Sequence, residues 1–152
     1  MSLKREYEVL RRVPIFAGIE PAKLKLLALM SERVAFDPGK LLMRQGDLAG
    51  AAYLIVDGHA EVILETPDGP VIVATLGANK IVGEMGILGN APRAATVRAK
   101  DRLIALRIPK EPFMRMLREF PTVAVSIMQE LAQRLHRRNV DFAVSTDGAN
   151  RL

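Results

Sequence analysis

Cysteine is absent from the 152 residues, which excludes a disulfide framework, a thiolate metal site and a cysteine nucleophile. Histidine is almost absent: His59 and His136 are the only two, and no His-x-His or Glu-x-x-His arrangement occurs, so a clustered imidazole metal site is not expected. No segment approaches the ~20 consecutive apolar residues of a membrane span. The opening MSLKREYEVLRRV lacks the apolar stretch of a signal peptide, which makes cytoplasm the expected compartment. Internal repeats and low-complexity tracts are missing too. Neither a catalytic residue, a metal nor a cofactor is predicted.

What is present fits a folded domain. The length suits one unit of the usual ~100–150 residues. With 49% hydrophobic and 26% charged residues, the chain has apolar material for a core and is too apolar for disorder. The net charge of +5 favours an anionic partner. Lys and Arg are interleaved with Asp and Glu, however, so charge alone does not indicate nucleic acid.

Periodicity divides the chain into three zones. Leu3, Tyr7, Leu10 and Val13 fall at helical spacing, and a second periodic run from Pro21 passes through Leu24, Leu27, Ala28 and Met30; Pro14 to Ile19 connects them. From Val34 the signal becomes short strands between turns at Asp37-Pro38-Gly39, Gln45-Gly46-Asp47, Asp57-Gly58 and Pro67-Asp68-Gly69-Pro70. About eight strands result, in a sandwich, roll or barrel. Tyr53 to Val56 and Val71 to Val73 read as strands buried on both faces, whereas Ala60, Val62 and Leu64 alternate with Glu61, Ile63 and Glu65 as a strand buried on one. Ala95 to Arg98 and Leu103 to Ile108 are the last two strands. Beyond Pro109 the helical period returns with Phe113, Met116, Leu117 and Phe120, and after Pro121 a longer helix carries Val123, Ile127, Leu131 and Leu135 at intervals of four. Docking of this stripe on the strands is the expectation, and pairing with a second copy is the alternative. From Ser145 the end is polar and is expected to fray.

One stretch, Gly83 to Val97, reads GEMGILGNAPRAATV. A strand end turning into one helical turn would leave backbone N–H groups without internal partners, and Gly83 and Gly86 would let a ligand approach the backbone closely. Arg93 offers a planar fork matched to two phosphate oxygens. Glu84 suits a sugar hydroxyl as acceptor. Phosphate and sugar together suggest a nucleotide; on the residues alone, a solvated Glu–Arg pair of little energetic consequence competes with that reading.

The same stretch resembles the phosphate-binding cassette of the cyclic nucleotide-binding domain family, which includes cyclic AMP-dependent kinase regulatory subunits, cyclic nucleotide-gated channels and bacterial catabolite activators. The resemblance runs from about Pro14 to Phe142 and takes in FDPGKLLMRQGD and AAYLIVDGHAEV. It implies an α+β fold: an antiparallel eight-stranded β-roll, jelly-roll-like (a double-stranded β-helix), flanked by N-terminal and C-terminal helices. One domain would span 1–142, with helices in 1–33, the roll in 34–108 around the cassette at 83–97, helices in 110–142 and a polar tail at 143–152. It implies that Gly83, Glu84, Met85, Gly86, Arg93, Ala94 and Ala95 bind the ligand, Glu84 through the ribose 2′-hydroxyl and Arg93 through the cyclic phosphate. Backbone N–H groups of Gly86 and Ala94 would complete the cradle. By position, Val62, Val73 and Leu76 would wall the base and ribose, and Arg138 and Asn139 on the last helix would form a lid. Val82 replaces a frequent aromatic of the family, and Gly86 a frequent Ala or Ser that would make a tighter cassette. Ala94 stands where relatives preferring cyclic GMP often carry Thr, which favours cyclic AMP over cyclic GMP as ligand.

The function implied is a sensor module in which nucleotide binding draws the last helix toward the base. The alternatives are a piece of a larger transcription factor, channel or transporter, a ligand-free interaction domain of the same fold, and a metal enzyme on a cupin-like roll, which the histidine count disfavours. No helix-turn-helix DNA reader is expected within these residues and no membrane contact. Of partners besides a cyclic nucleotide, a homodimer through the last helix is the alternative to docking of that helix on the roll, and the effector protein or domain is not specified by these residues.

Overall fold

The computed structural model describes residues 3–150; on the final helix the side chains at 138 and 140–150 lie outside the described residues. Two helices open the chain, α1 (Leu3–Arg11) and α2 (Pro21–Met30), joined through a 3-10 turn at Pro14–Phe16. Pro21 occupies the first turn of α2, where its missing N–H removes no helical bond. α1 buries Val9 and Leu10 together with Glu6, whose carboxylate meets Arg33 at 3.0 Å.

Eight strands follow: β1 (Glu32–Phe36), β2 (Leu41–Met43), β3 (Ala51–Asp57), β4 (Ala60–Thr66), β5 (Gly69–Leu76), β6 (Ile81–Val82), β7 (Thr96–Ala99) and β8 (Leu103–Pro109). A short helix, α3 (Glu84–Gly89), interrupts them between β6 and β7. They form two four-stranded antiparallel sheets, ordered β1-β8-β3-β6 and β2-β7-β4-β5. This is the roll that the turn spacing anticipates. β3 is buried on both faces as expected: Leu54 packs toward the helices and Ile55 into the roll interior. β8 does the same by alternation, with Leu103 and Ala105 inside the roll and Leu106 and Ile108 against the helices.

The hairpin β4–β5 departs from the sequence expectation twice. Ile63 is buried and Leu64 exposed, the reverse of the expected alternation; on β5 a β-bulge leaves Val73 unpaired between the pairs Val62–Ala74 and Ile63–Ile72. β5 is an edge strand bonded only to β4, so Val71, Ile72 and Val73 are each about half exposed rather than buried on both faces. An apolar run signals burial only where a second layer covers it.

α4 (Lys110–Glu119) buries Phe113 and Met116, and Phe113 meets Phe16 edge to face at 6.1 Å between ring centroids. α5 (Pro121–Asn150) follows after Phe120. Val123 and Ile127 are buried and Leu131 partly so, but Leu135 is 59% exposed. A strict four-residue interval overshoots the helical turn by about 40° per step, so the third step has left the docked face. The helix runs to Asn150; after Pro121 only Gly148 opposes helix strongly.

Candidate functional site

The cassette is built by backbone geometry before side chains contribute. β6 ends at Val82, and Gly83 turns the chain into α3 with φ +84°. A Cβ there would collide with Arg93 Nη1 and approach Met43 Cε to 2.8 Å, so both the dihedral and the packing demand glycine. Gly86 has no positive φ, but a Cβ there would stand 2.9 Å from Ala49 Cβ, so a side chain would press on the loop before β3.

Arg93 is 7% exposed. Its backbone is clamped on both sides by the turn after β2: Arg93 N–H donates to Asp47 O at 2.8 Å, and Gly46 N–H donates to Arg93 O at 2.9 Å. Its side chain donates through Nη1 to Gly83 O at 2.9 Å and through Nη2 to Ala51 O. Arg93 thus ties the start of α3 to β3 and still carries N–H donors beyond these two bonds. Burial pushes the guanidinium below its ordinary pKa, and the neighbouring Tyr53 hydroxyl and Glu84 carboxylate oppose that shift. The group stays cationic at neutral pH.

Glu84, in the first turn of α3, is not paired with Arg93. Its Oε1 accepts a bond from Nη1 of Arg134 on α5 at 3.0 Å. The pair is partly shielded, with side-chain exposures of 13% for Glu84 and 32% for Arg134. The solvated Glu84–Arg93 pair considered on the residues alone is therefore not what forms.

Gly83, Glu84, Met85, Gly86, Arg93, Ala94 and Ala95 all line one cavity of about 300 Å³. Val62 joins them, together with Met43, Val82 and Val97 from the roll interior. Val73 and Leu76 are not among the lining residues. The β4–β5 register explains this: Ala74, not Val73, lies opposite Val62 and shares its face, and Leu76 lies opposite Ala60 and packs in the core of the roll. Asn139 is exposed and away from the lining, and Arg138 lies outside the described residues. Arg134 was not singled out by sequence. The signal is helical: Arg134 lies seven residues after Ile127 and so shares its docked face. Met43 could have been found as the alternate of buried residues in the short strand before RQGD.

Among the described residues no group of three or more His, Asp or Glu is placed to hold a metal, and no helix is long and apolar enough to cross a membrane. The apolar floor, buried guanidinium and shielded carboxylate instead form a site for an anionic ligand with an apolar body. The sequence model of the cyclic nucleotide-binding domain matches residues 33–120. The chain belongs to the cyclic nucleotide-binding domain family. It is 35% identical over 116 residues to a cAMP-dependent protein kinase regulatory subunit of Blastocladiella emersonii, covering 75% of this chain and 29% of the relative. It is 26% identical over 148 residues to a CRP-like cAMP-activated global transcriptional regulator of Mycobacterium tuberculosis, covering 95% of this chain and 66% of the relative. Among solved structures, the N-terminal domain of a transcriptional regulator from Streptomyces coelicolor A3(2) superposes with a TM-score of 0.77 at 27% identity, over 86% of this chain and 94% of that one. The cyclic nucleotide-binding domain thus occurs here as a regulatory module that spans only part of the length of these two relatives.

Proposed function

We propose that the domain binds cyclic AMP in the cassette cavity and passes the binding event to α5. The observation that carries the ligand site is the convergence of all seven cassette residues on one cavity beside the buried Arg93. In this reading the remaining N–H donors of Arg93 and the backbone N–H groups of Gly86 and Ala94 take the cyclic phosphate. Glu84 Oε2 accepts the ribose 2′-hydroxyl while Oε1 stays with Arg134, so the sugar and α5 share one carboxylate. Val62, Val82 and Val97 supply apolar contact. Preference for cyclic AMP rests on Ala94, which lacks the hydroxyl that would bond a guanine amino group, and on the names of the kinase-subunit and activator relatives.

Calorimetric titration of cyclic AMP and cyclic GMP tests this on protein freed of carried-over nucleotide. Wild type should bind both with cyclic AMP tighter, and Arg93→Ala should lose ~2–5 kcal/mol if the phosphate pair is desolvated. A thermal melt of Arg93→Ala separates lost ligand contacts from a loosened cassette. No binding of either nucleotide by wild type sinks the proposal.

The outward face of α5 favours a second copy as partner. Val125, Met128 and Leu135 are 45%, 59% and 59% exposed, and with Ala132 and Asn139 they fall at alternating intervals of three and four, the spacing of a coiled-coil seam. Asn139 at the end of that series would fix register. Sedimentation should give a dimer for wild type and a monomer for Leu135→Glu; equal masses for the two would refute the seam.

A further inference from the structure

The fork of Arg93 faces two cavities. Nη1 bonds Gly83 O and lies 3.4 Å from where a Cβ on Gly86 would stand, and both glycines line the cassette cavity. Nη2 bonds the carbonyl of Ala51, and Ala51 lines a different cavity of about 170 Å³. That second cavity is also lined by Arg44, Arg107, Tyr53 and Asp47.

Its charge is unbalanced. Three arginines meet one aspartate among the lining residues. Arg107 has Glu32 at 3.2 Å, but that carboxylate is 61% exposed and screened by solvent. Arg44 has no carboxylate within ion-pair distance among the described residues, and the Asp47 carboxylate is the one negative side chain in the lining. Guanidinium forks match tetrahedral oxyanions geometrically, and an anion between these arginines would relieve the repulsion that solvent leaves between them. Tyr53 adds a hydroxyl donor at the same wall.

We propose that this cavity is a second oxyanion site, distinct from the cassette, which takes a small tetrahedral anion of the phosphate class on Arg44, Arg107 and the Nη2 side of Arg93. At about 170 Å³ it is smaller than the cassette cavity of about 300 Å³. It shares Arg93 with the cassette, so an anion here would load the residue from behind.

Inorganic phosphate is the probe. Titrated into the wild-type domain, it should shift the amide resonances of Gly50 and Ala51 saturably, while chloride at equal ionic strength should not. Arg44→Ala and Arg107→Ala, which line this cavity and not the cassette, should each weaken phosphate binding by roughly tenfold. Arg44→Lys, which keeps the charge and loses the fork, should fall between. Arg44 is exposed, so these variants are expected to fold, and thermal melts in phosphate-free buffer check it; Arg44→Gln serves should Arg44→Ala be unstable. An unchanged phosphate affinity in the Arg44 variants overturns the proposal. So does the lack of any saturable shift up to about 10 mM phosphate. A cyclic AMP titration in phosphate-free buffer reports separately on the cassette, so failure of either site is visible without the other.

Discussion

Replacing Arg134 by Ala removes the bond that joins the cassette to α5, and its consequences can be worked from the geometry. At 3.0 Å and an effective dielectric constant of about 20, the Coulomb attraction to Glu84 is roughly 5–6 kcal/mol before costs. Desolvating a carboxylate that is 13% exposed and immobilising an arginine that is 32% exposed offset most of this. A fully exposed pair would retain ~0.2–1 kcal/mol; this partly shielded one should retain about 1–2 kcal/mol of coupling. The assay is a double-mutant cycle in urea with Glu84→Gln, Arg134→Ala and the double variant, which isolates the pair from each residue's other contacts. The functional half is hydrogen exchange over residues 127–137 with and without cyclic AMP. Wild type should gain protection there on binding, and Arg134→Ala should bind nucleotide yet leave α5 unchanged. A coupling below about 0.3 kcal/mol, within the additivity error of such cycles, would refute the pair as a structural link. Equal α5 protection in Arg134→Ala and wild type would refute it as the relay, because a ligand moves only the element with which it interacts differently in the two states.

Two further outcomes follow from single contacts. Gly86→Ala forces a Cβ to 2.9 Å from Ala49 Cβ, and overpacking of this kind should cost about 1–3 kcal/mol in a urea melt despite the better helix propensity of Ala; a neutral or stabilising result would show that the cassette yields easily. Asp101 accepts from the ring Nδ1 of His59 at 2.8 Å and from its backbone N–H at 2.7 Å, and these bonds hold its carboxyl below the ordinary value of 3.8. A folded-state pKa below the unfolded one means that the stabilisation is present above pH 3.8 and lost as pH falls through the folded value. Asp101→Asn should therefore melt below wild type at neutral pH, with the gap closing in acid; a gap independent of pH would assign the effect to packing.

How far the sequence could be read depended on which physical rule governed each residue. Strand count, helix count and cassette position were legible because turn residues and periodicity act locally, and Gly83 shows it: a positive φ and a close approach by Arg93 leave no other residue suitable. The facing of Val73 and Leu76 was not legible, because it depends on the β4–β5 register and on the bulge at Val73, and a one-residue slip exchanges the two faces. Arg134 escaped for a related reason. Extending the stripe from Ile127 by fours leads to Leu135, whereas alternating four with three leads to Arg134 on the docked side, where it meets Glu84. The difference has a functional content. On the proposed reading, Leu135 on the inside would make α5 an apolar strut, whereas Arg134 on the carboxylate proposed for the sugar would give α5 a charge-dependent stake in the site. One residue of helical phase would then separate a passive prop from an element whose energy changes when the ligand arrives.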